Sequence, residues 1–378
     1  MPGDARSMRA GADVGLRARC GPAWGFCENV ASTIKIKEPQ LKRYEIHLQP
    51  GQSSMQCREF VPGELGEHQV AVAIKAVSFN YRDLLASDNT YFVPIAPGRV
   101  PCSDGAGEVV AVGSGVSAFK PGDRVATTFF PDWKSGPADA ASLSRALGAE
   151  IDGALTERFV ADQSELIGIP DTLSFAEAAT LPCAGVTAWN ALHEAGSLKP
   201  GQTVLLLGTG GVSIAGLQFA KAAGARVIIT SSSDAKLERA RQLGADHGIN
   251  YRRHVDWEQE VMRITEGRGA DVILEVGGPG TLERSLRCVR VGGRIAYIGV
   301  LTGMAAQANP VMLIPKVASI HGIFVGSRAM FAAMLDAIRC HGIKPVIDRE
   351  YAFDEVPAAI ECMRSATHFG KLVARVGH

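Results

Sequence analysis

The chain has no excess of either charge: 39 Lys and Arg stand against 39 Asp and Glu in 378 residues. Without a global field or a basic run, attraction to nucleic acid or to an anionic membrane surface has no electrostatic source. No apolar stretch approaches the roughly 20 residues that a helix needs to span a bilayer. CxxC pairs are also missing. The eight cysteines, at 20, 27, 57, 102, 183, 288, 340 and 362, are scattered, which suits reduced thiols in a cytoplasmic protein better than a disulfide framework. What remains is ordinary for a globular enzyme, with 46% hydrophobic and 21% charged residues. The length allows two or three domains.

The stretch VLLLGTGGVSIAGLQFAKAAGARVIITSSS, residues 204–233, organises the rest. It reads as a strand (Val204 to Leu207), a glycine turn (Gly208, Gly210, Gly211), a helix (Val212 to Ala223) and a second strand (Arg226 to Thr230). Gly208 allows a tight turn, and Gly210 lets the backbone approach a pyrophosphate at the positive end of the helix. The third glycine of the fingerprint, which lets helix and strand pack closely, is replaced by Ser213, small enough to keep that contact. A glycine turn in an ordinary α/β sheet is the alternative.

Residues 1–40 lack periodicity and predict an extension. Arg6, Arg9, Arg17 and Arg19 suggest a presequence, but Asp4 and Asp13 interrupt it, and a disordered tail or an upstream start, with Met8 as another candidate, is the expectation. From Leu41 short strands follow (KRYEIHL, QVAVAIKAVSF, GAGEVVAVGSGV, DRVATTFF), separated by the turns Pro50-Gly51, Pro62-Gly63 and Pro121-Gly122. They predict a mainly antiparallel domain. A polar loop from Phe130 to Leu155 reads as a binding loop, a lid or a mobile segment. Phe175 to Leu192 reads as two Ala-rich helices broken at Leu181-Pro182. After Thr230, strands and helices alternate, which predicts a parallel, doubly wound sheet. The segment ending KLVARV returns to the first domain. The expected boundaries are 1–40, 41–183, 184–327 and 328–378.

The blocks AVSFNYRDLL, VPCSDGAGEVVAVG, GDRV, LPCAGVTAW, GTGGVS, LGAD-x-x-INY and GGRIAYIG occur in this order. Together they resemble the medium-chain dehydrogenase/reductase superfamily from about Leu41 to Val376. The chain is most similar to its zinc-free, quinone-oxidoreductase-like branch, often labelled zinc-type alcohol dehydrogenase-like. The resemblance implies an α/β fold, with a Rossmann doubly wound parallel sheet plus a mainly antiparallel β (GroES-like) catalytic domain. It also implies a homodimer in which the strand SIHGIFV adds to its twin; burial of that strand within one chain is the alternative. Zinc alcohol dehydrogenases hold a catalytic zinc with two cysteines and a histidine. Matched block to block, those positions fall on Asn80, Ser103 and Cys183. No histidine occurs between His68 and His193, and no cysteine between Phe130 and Phe159 where a structural-zinc lobe would lie. The expectation is an enzyme without a metal, with Cys183 a small buried residue at a helix start. A site improvised from Cys102, Asp104 and Cys183 is the alternative.

The strand VIIT ends in Ser231-Ser232-Ser233, where NAD-binding units place an acid on the adenosine ribose. Hydroxyls and the nearby Lys236 suit a 2′-phosphate, so NADP(H) is favoured over NAD(H). Asp234 either caps the next helix, the expectation, or faces the ribose. By resemblance Tyr251 and Lys371 approach the cofactor, and Thr187 lies near its pyrophosphate or nicotinamide. Val276, Gly277, Gly299, Val300 and Leu301 are further contacts, with Phe324, Val325 and Gly326 beside the nicotinamide. Each has an alternative as a plain strand end or turn.

Without a Lewis acid, hydride transfer favours substrates that delocalise the developing charge themselves, such as quinones and enones. Asn80 and Tyr81 are the candidates to line the cleft and donate to a carbonyl oxygen; the alternative makes Asn80 a turn residue and packs Tyr81 in the β domain. Arg82 and Asp83 read as a structural pair or solvated charges, and Ser103 and Asp104 as lining the former metal position, where they bind water. The function expected is zinc-independent, NADPH-dependent reduction of quinones or α,β-unsaturated carbonyl compounds. An NADP-linked alcohol or aldehyde dehydrogenase, or a weakly catalytic NADPH-binding protein, stays open. The loops Asp88 to Arg99 and Asp132 to Leu155 would set the substrate.

Overall fold

Two large sheets, one mostly antiparallel and one parallel, organise the computed structural model, which describes residues 40–47, 55–303 and 309–377. The expected extension, apart from Gln40, and the Pro50-Gly51 turn lie outside the described residues. The chain begins with β1 (Leu41–Ile46), paired antiparallel to β2 (Met55–Phe60). Sequence patterning misses β2 because Met55 is its only buried residue, so no apolar alternation marks it.

The long β3 (Gln69–Phe79) leads into α1 (Tyr81–Ser87), and β4 (Asp104–Val112), β5 (Arg124–Thr127), β6 (Arg158–Asp162) and β7 (Leu166–Gly168) complete the first half of the antiparallel sheet. The polar loop after β5 is no free lid. Ala146, Leu147, Ala149, Ala154 and Leu155 are buried. Leu147 also accepts a hydrogen bond from Arg82 at 2.7 Å.

The expected pair of broken helices is instead one continuous winding. α2 (Phe175–Ala179) passes into a wide, π-type turn at Leu181–Gly185, then α3 (Val186–Trp189), then a second wide turn at Asn190–Glu194. Pro182 lacks an N–H and clashes with an ordinary helical turn behind it, and here it sits at the start of the first wide turn. Such widened turns cluster at functional sites.

The second sheet takes β8 (Thr203–Leu206), β9 (Arg226–Ser231), β10 (His247–Asn250), β11 (Ala270–Glu275), β12 (Val289–Tyr297) and β13 (Ser319–Gly322). They alternate with α4 (Gly211–Ala222), α5 (Asp234–Gln242), α6 (Trp257–Ile264) and α7 (Pro279–Cys288). All pairings are parallel, in the order β10-β9-β8-β11-β12-β13. β8 and β11 are buried along their whole length, as central strands covered on both faces must be. The winding reverses between them, and ligands of such sheets bind at the carboxyl ends beside that point. Close helix–sheet packing is supplied by Gly216: a Cβ there would lie 2.9 Å from Leu274 Cδ2 and 3.3 Å from Leu206 Cδ2. Ser213, assigned that role from sequence, is buried, and its hydroxyl donates to the Leu207 carbonyl at 2.7 Å.

α8 (Arg328–His341), β14 (Ile347–Tyr351), α9 (Val356–Arg364) and β15 (Lys371–Arg375) end the chain. β15 pairs antiparallel with β3, setting Leu372 opposite Phe79. This pairing carries Lys371 to the side of Asn80.

Candidate active site

The glycine turn follows β8. Gly208 has φ +73° and its N–H donates to Thr230 Oγ1 at 3.0 Å, so the turn is pinned to the neighbouring strand. A Cβ at Gly208 or at Gly210 would meet no atom within 4 Å. These glycines therefore border open space at the first turn of α4, whose N–H groups lack intrahelical partners. That open cradle fits the pyrophosphate of a dinucleotide. Gly211 has another role, since a Cβ there would lie 2.5 Å from Lys371 Cδ. Val212 is half-buried in the same first turn.

The ends of the adjacent strands bring the other sequence candidates to the same rim. Ser231 is buried at the end of β9 and accepts, through its carbonyl, from the N–H of Tyr251 at 3.0 Å. Ser232 is half-buried beyond it, and Tyr251 is 41% exposed. The cap of α5 is Ser233, whose hydroxyl accepts from Lys236 N at 3.4 Å, and not Asp234. Asp234 is the first helical residue, and its carboxylate takes Asn250 Nδ2 at 2.7 Å and an ion pair with Arg253. Lys236 Nζ donates to the Ala366 carbonyl at 3.1 Å, and burial lowers its pKa.

Beside β8, the turn after β11 is built on Glu275, a residue sequence reasoning passed over. Its fully buried carboxylate accepts at Oε1 from Gly277 N (2.9 Å), Gly278 N (3.0 Å) and Thr281 Oγ1 (2.5 Å), and at Oε2 from Ser285 Oγ. Burial raises its pKa and these donors act against the rise. Val276 presses on the next strand's turn, where a Cβ at Gly299 would come 1.9 Å from Val276 O. Thr302 Oγ1 ties the two turns by donating to Gly277 O at 2.8 Å. Val300 is half-buried and Leu301 exposed. The one signal for Glu275 in the sequence was an acid directly following the apolar run VIL within the strand ADVILE.

Phe324 is 43% exposed and stands edge-on to Phe130 at 4.9 Å and Phe129 at 6.0 Å. Val325 has φ +56°, unusual for a β-branched residue, and its carbonyl accepts from Asn190 Nδ2 at 2.8 Å. Gly326 is required by close packing, since a Cβ would lie 2.7 Å from Val186 Cγ1. Thr187, the next residue to Val186, is buried.

Asn80 and Lys371 meet at the end of β3. The Lys371 ammonium, 7% exposed, donates to Phe79 O at 2.6 Å and to Asn80 Oδ1 at 2.5 Å, and lies 3.8 Å from Asp104 Oδ2. It thus points at Asn80 and Asp104. Asp104 is fully buried and takes Ser103 Oγ on Oδ1 at 2.7 Å. Burial raises its pKa, with the Lys371 ammonium acting most strongly against the rise. Tyr81 opens α1, half-buried against the core, and its hydroxyl makes no hydrogen bond among the described residues.

Arg82 and Asp83 are structural, with separate partners. The Arg82 guanidinium lies over the Tyr91 and Phe129 rings at 4.9 and 4.6 Å. Asp83 is buried and accepts from Asn80 N at 2.8 Å; burial, partly offset by Arg82, pushes its carboxyl up to about 6.

At the three positions matched to zinc ligands, two side chains have other partners in this structure. The Asn80 oxygen accepts from the Lys371 ammonium, the Ser103 hydroxyl is turned to Asp104, and Cys183, expected as a small buried residue at a helix start, is half-buried inside the first wide turn. Among the described residues no three His, Cys, Asp or Glu side chains group as metal ligands.

Residues 66–171 match the family described as alcohol dehydrogenase GroES-like domain, and residues 211–339 the family described as zinc-binding dehydrogenase. A zinc-type alcohol dehydrogenase-like protein of Schizosaccharomyces pombe is 42% identical over 343 residues, covering 88% of this chain and 99% of that one. A quinone oxidoreductase of Pseudomonas aeruginosa is 33% identical over 71% of this chain and 76% of its own. The crystal structure of a putative alcohol dehydrogenase from Sinorhizobium meliloti superposes with a TM-score of 0.84 at 42% identity, covering 89% of this chain and 99% of that one. With its glycine cradle, its two sheets and these relatives, the chain belongs to the medium-chain dehydrogenase/reductase superfamily and is an oxidoreductase of that type.

Proposed function

We propose that the protein is a zinc-independent, NADPH-dependent oxidoreductase that reduces quinones or α,β-unsaturated carbonyl compounds. The observation that carries this reading is the Lys371 ammonium on Asn80 Oδ1, 2.5 Å away, where a metal would need that residue as a ligand. The cofactor, when bound, supplies a hydride. Gly208 and Gly210 leave room for its pyrophosphate, and Glu275 holds the turn of Val276 and Gly277 against Gly299. Substrates that spread negative charge over a conjugated system need least help from the protein. In the balanced reaction the hydride reaches carbon and one proton from solvent completes the product.

NADP(H) over NAD(H) is supported by the hydroxyls of Ser231 and Ser232 at the end of β9, by Lys236 close by, and by the commitment of Asp234 to Asn250 and Arg253. A second reading, oxidation of alcohols or reduction of simple aldehydes, draws on the likeness to the putative alcohol dehydrogenase of Sinorhizobium meliloti and on the buried Asp104 carboxylate beside Lys371.

NADPH oxidation measured across quinones, enones and aldehydes, with NADH in parallel and with chelator present, tests the reading. Turnover of quinones or enones that survives chelation is expected. Activity confined to alcohols, or dependent on a stoichiometric metal, would overturn it.

A homodimer is part of the proposal. β13 is the outer strand of the parallel sheet, and Val311, Ile314 and Val317 near it are more than half exposed. A second copy would cover this edge, and a monomeric mass by light scattering would refute it. The described cysteines are free and no described helix is long and apolar enough to cross a membrane; a cytoplasmic setting is the compartment proposed.

A further inference from the structure

The Lys236 ammonium is half-buried and makes no ion pair among the described residues; it rests on the Ala366 carbonyl at 3.1 Å. The carboxylate acting on it, Asp348, is held by Arg239 at 2.8 Å. A cation drawn partly out of water without a counter-charge is unfavourable, and an anion arriving from outside relieves it.

The short segment before β15 connects this lysine to the glycine turn. At one end Ala366, with φ +51°, accepts from Lys236. At the other, Gly370 N donates to Thr209 O at 3.0 Å and Gly370 is paired with Gly210. His368 lies between these two anchors. Its neighbour Phe369 is buried, with the Arg239 guanidinium over its ring at 4.1 Å. The segment therefore borders the end of β9 on one side and the pyrophosphate cradle on the other.

Sequence reasoning passed over His368. Its ring faces Lys236 of α5, Lys371 of β15, Asp348 of β14 and the Cys362 carbonyl of α9. The two groups of negative character are already engaged, Asp348 by Arg239 and the Cys362 carbonyl by Ser365 Oγ at 2.8 Å. Nδ1 of the ring is buried and completes no hydrogen bond among the described residues. Burial, then Lys236, then Lys371 hold the ring below its ordinary pKa, with Asp348 and the carbonyl acting against the fall. Lys371 is committed to Phe79 and Asn80, and Lys236 acts on the ring more strongly. His368 thus groups with the end of β9.

A phosphate monoester carries close to two negative charges at neutral pH and three acceptor oxygens, more than one ammonium neutralises. An imidazole beside that ammonium supplies the second charge by taking up a proton. We propose that His368 and Lys236 together bind the 2′-phosphate of NADPH, the imidazole gaining a proton from solvent on binding and becoming a second charged donor beside the ammonium. No covalent bond is made or broken. The inference rests on the NADPH reading and adds to it a dependence on pH: affinity for NADPH, and not for NADH, strengthens as pH falls from about 8 to about 6.5.

Isothermal titration calorimetry at about pH 7.5, in buffers of different ionisation enthalpy, counts the protons taken up. At that pH the phosphate is almost fully ionised and contributes little itself. Full-length wild type and His368→Gln are titrated with NADPH, NADH and adenosine 2′,5′-bisphosphate. Wild type is expected to take up about half a proton or more with NADPH and with the bisphosphate, and close to none with NADH. His368→Gln should lose that uptake and about tenfold in NADPH affinity, while NADH affinity changes by less than about twofold. If the variant does not fold, the difference between NADPH and NADH uptake in wild type decides. Equal uptake with the two dinucleotides, or a variant that keeps both uptake and affinity, overturns the proposal. A preference for NADPH without histidine-dependent uptake sinks the histidine site alone. Histidine-dependent uptake with the bisphosphate, in a protein that binds NADH more tightly than NADPH, sinks the NADPH reading and leaves the phosphate site standing.

Discussion

Gly211 and Lys371 are packed so closely that a methyl group on the glycine would stand 2.5 Å from the lysine Cδ. The contact joins the glycine turn to the polar cluster, since the same lysine ends on Asn80 and Phe79. The paired neighbours Gly210 and Gly370 form a bridge beside it, and Gly370 N donates to Thr209 O at 3.0 Å.

Gly211→Ala should therefore push the ammonium off Asn80 while leaving the fold in place. Overpacking costs about 1–3 kcal/mol and the helix propensity of alanine returns up to about 1, so Tm should fall by only a few degrees while turnover falls about tenfold or more. Gly210→Ala makes the contrast: its Cβ meets nothing in the protein, so Tm should hold and dinucleotide affinity should fall. Equal effects of the two on dinucleotide binding and turnover would show that the Gly211 contact has no separate role.

Glu275 accepts from four donors, three of them on one oxygen. Glutamine keeps that oxygen and offers its NH2 to the Ser285 hydroxyl, which can rotate to accept, so Glu275→Gln should cost about 1–2 kcal/mol. Glu275→Ala orphans all four donors and should cost at least about 3 kcal/mol in denaturant unfolding. Similar losses for both would mean that the carboxylate acts by volume and not by acceptance.

The parallel sheet was legible because β8, β9 and β11 carry short apolar runs spaced by helices, β8 and β11 closing in glycine turns, a pattern that buried strands impose directly. The cradle glycines, Gly208 and Gly210, were legible for the same local reason. What escaped depends on contacts between distant segments. Gly216 looks like any helix glycine until Leu206 and Leu274 are set against it. The direction of the Lys371 ammonium follows from the pairing of Leu372 with Phe79, nearly 300 residues apart. The loop after Phe130 reads from its polar residues as a binding loop, a lid or a mobile segment, and what that composition hides is that Leu147 is buried and accepts from Arg82. Asp234 was read as a cap although Ser233, one residue earlier, has the extended backbone that capping needs.

Asp83 predicts a pH effect on stability. Burial raises its carboxyl from the ordinary 3.8 to about 6 in the folded chain, so between these values the native state holds a proton that the unfolded chain has lost. Stability linked to this group is full below about pH 4 and declines as pH rises to about 6, by up to about 3 kcal/mol. Asp83→Asn keeps an acceptor for Asn80 N and cannot titrate. Its unfolding free energy should lack this decline between pH 4 and 6 in urea titrations. A wild-type slope retained in the variant would assign the effect to another carboxyl.

Cofactor choice is tested at the end of β9. Ser231 is buried there, Ser233 caps α5, and Asp234 is taken by Asn250 and Arg253, which leaves Ser232 as the half-buried hydroxyl position between them. An acid at this place accepts from ribose hydroxyls and repels a 2′-phosphate. Ser232→Asp should shift the ratio of kcat/KM for NADPH over NADH toward NADH by about tenfold or more, with Tm unchanged because no buried contact is lost. Lys236→Ala should weaken NADPH and spare NADH, since among the described residues its ammonium donates only to the Ala366 carbonyl and gives up no ion pair. If wild type already prefers NADH, or if Ser232→Asp leaves the ratio where it was, the end of β9 does not face the 2′ position and the assignment to NADPH falls.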